Sequence, residues 1–502
     1  MHLKIVAIGD LHYSQADPTP ERHGAIGDIL FERAVNRINR FIKPDIVILT
    51  GDLVDQNDGA DAEQLWQRLR AIADRLECPL IALPGNHDGD PQAFYRVFPD
   101  PGEMLDIKGA RFLVFLDPEE PGWNARRTPH DLARMEAAAA HQGPTIGLQH
   151  TSLFPPGTSD CPFNCTNAGE IVARMRKHGI QLAISGHYHP GADLIRHGAG
   201  SFVIAPALCE PPFAFLEVDL SGERISVRRH ELRVPPEHRL IDCHVHTPFA
   251  YCAEDIGLAG AVSLAEDFGL AGLAFTEHSG QLYFDRETYW QGRCLRDGVD
   301  CRVGRQNRMG QYLTAVGEHS PPAIVGLETD CDYAGRPMLR DEDRSWVALL
   351  AGAVHSLPEL RKPKPQVERA ADEFLAALTR FLASGLQVYV HPFRVFRGAG
   401  LSVPQTVVEQ TVQLLREHKV AAEINFHMDE PTPEFVRLCV ESGVKLVFGS
   451  DAHALSRVGE FWPHLELLQQ CGYHANLPDV LSDLAISPPD HRPRSDSRAE
   501  RT

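Results

Sequence analysis

The most constraining feature of this sequence is a repeated pattern in which a short apolar run ends in histidine, aspartate or asparagine. In the first half it occurs in the stretches LKIVAIGDLHY, IVILTGD, PLIALPGNHD, TIGLQH and LAISGHYHP. Short apolar runs bounded by turn residues are typical of buried strands. Open α/β sheets place their chemistry just beyond the carboxyl ends of such strands. The pattern therefore predicts an α/β fold whose polar side chains meet at one edge of a sheet.

The order of predicted elements divides the chain into two α/β halves. Helices are predicted over residues 26–41 and 61–76 in the first half, and the stretch 213–233 then reads as plain strand and turn. In the second half, helices near 258–268, 366–384, 404–417 and 433–442 alternate with short strands, which predicts a βα barrel. We predict a first domain over residues 1–233, a linker over 234–239, a second domain over 240–480 and a disordered tail over 481–502.

Composition narrows the functional classes. A net charge of −19 disfavours broad binding to nucleic acid, although bound metal ions would still allow a small phosphorylated substrate. No apolar run approaches the length of a membrane span, and the start of the chain lacks a signal-peptide pattern. Eleven scattered cysteines fit a reducing cytoplasm, with the Cys161–Cys165 pair left open as a zinc or cross-linking pair. The oligomeric state has no signature in the sequence.

The first half carries side chains that suit two divalent metal ions. They are Asp10, His12, Asp52, Asn86, His87, His150, His187 and His189. Two ions about 4 Å apart need such a mixture of imidazole and carboxylate ligands, with one carboxylate shared. The alternative, histidines that only make hydrogen bonds in loops, does not explain five such motifs in order.

Asp-x-His, Gly-Asp, Gly-Asn-His-Asp, a single His and Gly-His-x-His together resemble the calcineurin-like metallophosphoesterase superfamily over residues 1 to about 230. The resemblance implies a β-sandwich flanked by helices and two ions of Mn, Fe, Zn or Ni. The implied ligands are Asp10, His12 and His189 for one ion, and Asn86, His150 and His187 for the other. Asp52 would bridge the ions, His87 would be the catalytic general acid, and Asp88 would orient His87. The closing His-Tyr-His is similar to the class III cyclic-nucleotide phosphodiesterase branch.

The second half repeats the pattern of strand-end ligands. The residues concerned are Asp242, His244, His246, Glu277, His278, Glu328, His355, His391, Asp451 and His453. Strand ends converge on one face of a βα barrel, so residues distant in sequence can share a pocket. His-x-His on an extended strand points both rings to one side, which suits chelation. A second metal centre is therefore predicted.

The stretches DCHVHTPF, FTEHS, GLETD, VHS, VHPFR, EIN and GSDAH resemble the motifs of the PHP (polymerase and histidinol phosphatase) superfamily over residues 238–480. The resemblance implies a distorted, seven-stranded TIM-like barrel with two to three divalent ions of Zn, Mn or Fe. The sequence departs from the usual pattern at HTPFAYCAED, where Cys252 or Glu254 could complete the third position, and Glu254 is favoured. Thiolate at that position would bias it toward zinc.

Several further residues are assigned supporting roles. Arg394 and Arg457 are the predicted substrate-binding residues, since arginine binds phosphate bidentately. Six arginines within residues 281–322 could bind phosphate at the mouth of the barrel, but the stretch is interpreted as a solvated, amphipathic helical excursion with one or two arginines recruited to substrate. Glu423, Asn425 and His427 are expected to support the barrel and its metal ligands.

These features predict a bifunctional metal-dependent phosphoesterase acting on a small molecule. The first domain would open a phosphodiester, which could be cyclic, and the second would remove the resulting monoester. Two alternatives stay open: a metal-dependent nuclease, since both superfamilies include nucleases, and one catalytic domain with a regulatory partner domain.

Overall fold

The computed structural model describes residues 2–56, 60–222, 224–428, 431–473 and 477–484. They form two compact units, the first ending at Arg233 and the second beginning at Val234. Among these residues no helix combines the length and apolar character that a membrane span needs. All eleven cysteines lie in the described ranges and are free thiols, so Cys161 and Cys165 are not cross-linked.

Two mixed sheets form the centre of the first unit. Its strands are β1 (His2–Ile8), β2 (Ile46–Leu49), β3 (Leu80–Ala82), β4 (Met104–Ile107), β5 (Ala110–Val114), β6 (Glu119–Glu120), β7 (Asn124–Ala125), β8 (Thr145–Leu148), β9 (Ile180–Ser185), β10 (Ala192–His197), β11 (Gly200–Ile204), β12 (Ala214–Ser221) and β13 (Arg224–Glu231). The sheet orders are β13-β12-β1-β2-β3 and β10-β11-β9-β8-β5-β4. β1, β2 and β3 run parallel to one another, and so do β5, β8, β9 and β11.

The two sheets pack on each other through one apolar core. Leu3, Ile5 and Ala7 of β1 lie fully buried in it, because alternate residues of a strand share a face. The unit's α-helices are Gly27–Arg37, Ala60–Ala73, Pro91–Phe94, Pro129–Arg134 and Ala168–His178. The helix Ala168–His178 packs its residues Ile171 and Met175 into a second core on the six-stranded sheet. The first unit is therefore a mixed α/β sandwich with helical cover.

The second unit is built on seven parallel strands. They are β14 (Ile241–Val245), β15 (Gly272–His278), β16 (Ala323–Asp330), β17 (Leu349–Ala353), β18 (Val388–Tyr389), β19 (Ala421–Asn425) and β20 (Leu446–Gly449). Each pairs with the next along the chain. The chain after β20 returns to the first strand, where Asp451 N–H donates to His244 O at 2.8 Å and His246 N–H donates to Ala452 O at 3.0 Å. The sheet is thereby nearly closed into a TIM-like barrel.

Helices connect the barrel strands. They are Leu258–Asp267, Ser279–Tyr283, Arg286–Trp290, Arg293–Asp297, Met309–Gly317, Asp341–Arg344, Val367–Leu382, Arg394–Gly398, Gln405–His418, Pro433–Glu441, Trp462–Gln470 and Leu477–Val480. The helix Val367–Leu382 buries Ala370, Phe374 and Leu378, which recur every four residues along one face. Among the arginines of residues 281–322, Arg308 donates to two backbone carbonyls, which supports a structural role for it.

The two predicted boundary segments both have contacts in the second unit. Val234 is buried, and Pro236–His238 form a single 3-10 turn within the stretch predicted to be a linker. At the other end, Ser482 N–H donates to Leu446 O at 2.8 Å. The unit thus extends past residue 480, and the rest of the predicted tail, residues 485–502, lies outside the described residues.

Candidate metal centres

The polar residues predicted in the first unit lie just beyond the carboxyl ends of five parallel strands, β1, β2, β3, β8 and β9. Several groups drawn from them bring their ligand atoms within 4.8 Å of one another. Asp10, His12, Asp52 and His187 have left-handed φ values of 53°, 44°, 54° and 68°. Such values are costly for non-glycine residues and concentrate at functional sites.

His12 and His189 face each other through Nε2 atoms that are 3.2 Å apart. The Nδ1 atom of His12 lies 3.1 Å from Asp55 Oδ1, and that of His189 lies 2.6 Å from Glu210 Oε1. Each Nδ1–H therefore donates to a carboxylate, which leaves a lone pair on Nε2 of the neutral ring. Two lone pairs at this distance repel unless a proton or a metal ion lies between them. Asp10 Oδ1, 3.7 Å from His189 Nε2, adds a negative oxygen to the same place.

A second group of closely spaced hydrogen-bond acceptors surrounds His150. Its Nδ1–H donates to Thr50 O at 2.8 Å, so Nε2 faces Asn86 Oδ1 at 2.9 Å and Asp52 Oδ2 at 3.3 Å. Burial by itself lowers the pKa of His150, but the charge of Asp52 and the contact with it raise that pKa to about 10. A proton held there at neutral pH occupies the place of a cation, and metal binding displaces such protons.

Asp52 lies between these two groups. Its Oδ2 is 3.8 Å from His12 Nε2 and 3.3 Å from His150 Nε2, and the residue is only 1% exposed. Burial raises the pKa of a carboxyl group, yet the charges of His150 and His12 hold the pKa of Asp52 below its ordinary value. Asp52 is thus an ionised, buried carboxylate between the Nε2 atoms of His12 and His150. This is the position of a ligand shared by two metal ions, so these residues fit a dinuclear centre.

His87 lies at the accessible side of the cluster. Its backbone N–H donates to Asp52 Oδ1 at 2.7 Å, and its ring Nδ1–H donates to Asp55 O at 2.6 Å. The second ring nitrogen, Nε2, is thus the atom left for proton transfer. The side chain is 26% exposed, and its ring lies nearly parallel to the indole of Trp123, with centroids 6.3 Å apart. The backbone carbonyl of Trp123 also accepts from His187 Nε2 at 2.9 Å.

Asp88 does not orient the His87 ring, contrary to the prediction. Its carboxylate accepts hydrogen bonds from Leu53 N at 3.1 Å, Gly85 N at 2.9 Å and Trp66 Nε1 at 3.1 Å. It therefore ties together the turns that follow β2 and β3, and the carbonyl of Asp55 takes the predicted orienting role.

The residues predicted in the second unit also meet at strand ends. They are His244, His246, His278, Glu328, His355, His391, Asp451 and His453. All are buried except His355, whose side chain is 21% exposed. Because all seven strands run parallel, their carboxyl ends bring these side chains to one face of the barrel.

Glu328 is the centre of this cluster. Its Oε1 lies 2.7 Å from His391 Nε2 and 3.0 Å from His355 Nε2. Its Oε2 lies 2.7 Å from His278 Nδ1 and 3.5 Å from His244 Nε2. Burial raises a carboxyl pKa, but the histidine charges, that of His278 first, keep the pKa of Glu328 well below its usual range. One ionised carboxylate is therefore shared by four imidazoles.

Asp451 gathers a neighbouring group. Its Oδ1 lies 3.0 Å from His246 Nε2 and 3.6 Å from His244 Nε2. Its Oδ2 accepts from Arg394 Nη2 at 2.6 Å, and Glu277 Oε1 lies 3.3 Å from the other nitrogen of His246, Nδ1. His246 is thus bounded by a carboxylate on each ring nitrogen.

Four buried atoms in this cluster lie within 3.5 Å of an oppositely charged group but form no hydrogen bond of regular geometry. They are His244 Nε2, His278 Nδ1, Glu328 Oε2 and His355 Nε2. Buried polar atoms without regular hydrogen bonds are rare in folded proteins, and these four belong to or contact the Glu328 carboxylate. Imidazole nitrogen and carboxylate oxygen are ligands for Zn, Mn and Fe, so the residues present fit divalent metal ions.

Cys252 and Glu254, the two residues predicted for a third position, lie in different surroundings. Cys252 Sγ is 3.2 Å from His453 Nε2. Burial raises the pKa of a thiol, but hydrogen bonds with His278 and His453 lower the pKa of Cys252 to about 5. The side chain of Glu254 is 54% exposed and its carboxylate lies 3.4 Å from Arg457 Nη1. The preference for Glu254 as a ligand is therefore not supported by the structure, which brings Cys252 into the cluster instead.

The two predicted substrate-binding arginines lie beside the second cluster. Arg394 donates to Asn425 Oδ1 at 3.1 Å as well as to Asp451, and its buried Nε has no hydrogen-bond partner. Arg457, with a side chain 35% exposed, lies 3.3 Å from His427 Nδ1. The Nε–H group of Arg394 is thus available as a hydrogen-bond donor close to the candidate metal ligands.

Several carboxylates that contact the second ring nitrogen of a candidate ligand histidine were not predicted from the sequence. Glu423, expected as a support, accepts from His244 Nδ1 at 2.7 Å. Asp55, Glu210 and Asp330 were not identified, although Asp330 Oδ1 lies 2.8 Å from His355 Nδ1. Asp330 stands two residues after Glu328 on β16, so strand periodicity could have revealed it. Asp55 and Glu210 carry no comparable signal. All four fix a ring orientation, as carboxylates behind metal-binding histidines commonly do.

Comparison with known proteins agrees with the first of these centres. Residues 3–191 match the family model described as "Calcineurin-like phosphoesterase". A "Probable cyclic nucleotide phosphodiesterase" from Synechococcus sp. is 28% identical over 41% of this chain and 81% of its own length. "Glycerophosphodiester phosphodiesterase GpdQ" from Enterobacter lignolyticus is 30% identical over 29% of this chain and 56% of its length. "Serine/threonine-protein phosphatase CPPED1" from Danio rerio is 26% identical over 39% of this chain and 70% of its length.

Two solved structures align with about half of the chain each. A dimetal phosphatase from Danio rerio has a TM-score of 0.39 and 15% identity, over 46% of this chain and 96% of its own. A histidinol phosphate phosphatase from Lactococcus lactis has a TM-score of 0.36 and 17% identity, over 47% of this chain and 95% of its own. At these values the similarity supports no functional assignment.

The fold, the acceptor-rich cluster and the sequence relatives define the class of the protein: it is a metal-dependent hydrolase of phosphoric esters. More specifically, its N-terminal residues, about 190 in number, form a calcineurin-like metallophosphoesterase domain.

Proposed function

We propose that the chain is a two-centre phosphoesterase, in which the first unit opens a phosphodiester and the second unit hydrolyses the resulting monoester. The observation that carries this proposal is the presence, in one chain, of two separate clusters whose buried imidazole nitrogens face one another or face carboxylates. The phosphodiesterases among the relatives of the first unit support the first reaction. The resemblance of the second half to the PHP superfamily supports the second.

In the first unit, Asp10, His12 and His189 would hold one ion, and Asp52 would be shared with a second ion. The second set of ligands would be Asn86, His150 and His187. When bound, two divalent ions lower the pKa of water and neutralise charge on phosphate oxygens. Manganese, iron, zinc and nickel all suit these donors.

His87 would act as the general acid toward the departing alkoxide. Its Nδ1–H is engaged by the carbonyl of Asp55, so Nε2 carries the proton that is transferred. The Asp55 carboxylate lies 4.0 Å from Nδ1. Partial exposure of the side chain leaves room for the leaving group beside it.

In the second unit, Glu328 would be shared between two ions. The histidines around it and Asp451 would complete the two sets of ligands, and Arg394 and Arg457 would bind the phosphate. Zinc, manganese or iron fits this donor set. A diester would lose one ester bond at the first centre, and the released monoester would be the substrate of the second centre. Eleven free thiols support the predicted cytoplasmic location.

Paired variants of the full-length protein test the two reactions separately. We expect Asp52→Asn to abolish hydrolysis of bis-p-nitrophenyl phosphate while p-nitrophenyl phosphate is still cleaved. His246→Ala is expected to have the reverse effect. A screen of cyclic nucleotides, glycerophosphodiesters and sugar or nucleotide monophosphates, with bound metals quantified, would then identify the substrate pair.

The two-reaction proposal fails if the wild-type protein cleaves diesters but no monoester in that screen, and if His246→Ala alters neither activity. Cleavage of single- or double-stranded oligonucleotides in the presence of manganese at rates above those for small diesters would instead favour the nuclease alternative.

A further inference from the structure

A thiol lies among the buried histidines of the second unit. Three of these, His246, His278 and His453, offer ligand atoms within 4.8 Å of one another. Cys252 adds a sulfur atom 3.2 Å from His453 Nε2, and the same sulfur interacts with the His278 side chain. The cluster thus contains a fourth donor that is softer than any other in the second unit's site.

The orientation of His453 fixes which of its nitrogens faces the sulfur. Its Nδ1 lies 2.8 Å from the carbonyl oxygen of Asp451, an acceptor, so Nδ1 must carry the ring hydrogen. The lone pair on Nε2 therefore points at Cys252 Sγ. A nitrogen lone pair and a sulfur atom at 3.2 Å require a proton or a cation between them.

The separation of the donor atoms suits a zinc ion with small adjustment. Zinc binds sulfur at about 2.3 Å and imidazole nitrogen at about 2.0 Å, so two such ligands of a tetrahedral ion lie about 3.5 Å apart. His278 is 8% exposed and its Nδ1 lies 2.7 Å from Glu328 Oε2, which leaves Nε2 as the ring nitrogen available to the sulfur. Gln281 Nε2, 3.7 Å from the sulfur, is a further polar contact of Cys252.

We propose that Cys252, together with His278 and His453, forms a third metal position in the second unit, and that its thiolate makes this position selective for zinc over manganese. The inference rests on the proposed metal centre of the second unit. Three protein ligands leave a coordination place for substrate or water, as catalytic zinc sites do. Thiolate is a soft ligand that favours zinc, whereas manganese prefers oxygen, so the substitution of sulfur for the usual histidine or acid changes metal preference.

Glu254 is excluded from the same role by its surroundings. Its carboxylate lies beside the Arg457 guanidinium, and more than half of its side chain is exposed. Only its backbone reaches the cluster, through an N–H that donates to His453 O at 2.9 Å. Glu254→Gln is therefore a suitable control, since it changes the other candidate and leaves the sulfur in place.

The test uses the full-length protein loaded with cobalt(II), a spectroscopic substitute for zinc. Thiolate bound to cobalt(II) gives an intense charge-transfer absorption in the near ultraviolet, which imidazole and carboxylate ligands do not give. We expect this band in the wild type and in Glu254→Gln, and its loss in Cys252→Ser. Cys161→Ser, which removes another partly exposed thiol, controls for cysteines outside the cluster.

Metal counting gives the second readout. Zinc-loaded Cys252→Ser is expected to hold about one ion fewer per chain than the wild type, while manganese loading of the two proteins is the same. A wild-type protein without the charge-transfer band, or a band that survives in Cys252→Ser, overturns the inference. The d–d absorption of cobalt in the second unit is the absorption that is lost in Glu328→Gln. If the charge-transfer result is negative but this d–d absorption persists, the proposed function stands without the third position. If that absorption is absent from the wild type as well, the proposed function of the second unit fails too.

Discussion

The Nε2 atoms of His12 and His189 lie 3.2 Å apart, while each ring donates from Nδ1 to a carboxylate. This relationship is stable only with a cation or a proton between the rings. It links the folding of the first unit to the occupation of its metal centre, because ligands that bind only the folded state stabilise it.

Removal of metal should make the stability of the first unit depend on pH. In the metal-free protein the pKa of His150 is raised to about 10 by Asp52, against an ordinary value of 6.5. The stabilisation from this proton is complete below pH 6.5 and is lost as the pH rises toward 10. We expect the thermal unfolding midpoint (Tm) of the chelator-treated protein to decrease as the pH is raised from 6.5 to 9. The metal-loaded protein should change less over the same range.

The matched control for this experiment is Asp52→Asn, which removes the charge responsible for the raised pKa. Its metal-free midpoint should vary less with pH than that of the wild type. Equal pH profiles for the metal-free and metal-loaded wild type would contradict the prediction.

Removal of a carboxylate behind a histidine should weaken metal binding without removing a ligand. Asp55→Asn and Glu210→Gln each replace the acceptor that fixes His12 or His189. Changes of this kind cost about 10- to 100-fold in metal affinity or activity. Competition with a chromophoric chelator would measure the affinity. Asp74→Asn, which changes an exposed ion pair with Arg70, should leave it unaltered.

His87→Ala should slow diester hydrolysis in proportion to the basicity of the leaving group. A general acid contributes about 10²–10⁴-fold when the departing oxygen needs a proton. We expect a large loss of kcat with alkyl diesters and a small loss with bis-p-nitrophenyl phosphate, whose leaving group departs unprotonated. The bound metal content should stay at the wild-type value. An equal loss for both kinds of substrate would assign His87 to positioning or metal binding instead.

Trp123 should affect which diesters the first unit prefers. Its side chain is 63% exposed beside His87, where an aromatic leaving group or a nucleobase could stack on it. Stacking of a base on an aromatic side chain is worth about 1–3 kcal/mol, so Trp123→Ala should lower kcat/KM for cyclic nucleotides by about 5- to 150-fold. Glycerophosphodiesters should be hydrolysed as by the wild type, and Trp123→Phe should restore part of the loss. The same loss for both substrate classes would show that the substitution disturbs the centre through the carbonyl that holds His187.

Many residues of the two clusters could be predicted from the sequence because the candidate ligands obey a local rule. A buried strand is a short apolar run, and the residue just beyond its carboxyl end faces the functional edge, so Asp10, Asp52 and His150 are visible as strand-end residues. The βα alternation likewise indicated the second unit's barrel, whose seven parallel strands the structure shows. The prediction for Asp88 was wrong because its partners, the backbone of Leu53 after β2 and the indole of Trp66 on the helix Ala60–Ala73, meet it only in the folded structure.

The sequence by itself determined the class of chemistry, because residues at successive strand ends gather at one edge of an α/β sheet and imidazole and carboxylate groups there are metal ligands. The tertiary structure decided which atoms of those side chains face one another. Cys252 and Glu254 are two residues apart, and their spacing cannot tell which enters the cluster. That choice follows from the path of the chain after β14 and from Arg457, which comes from a distant part of the sequence and holds Glu254 at the surface. Asp55 and Glu210 were hidden for the same reason: a hydrogen bond to a ring nitrogen depends on side-chain orientation in three dimensions, which residue spacing does not encode.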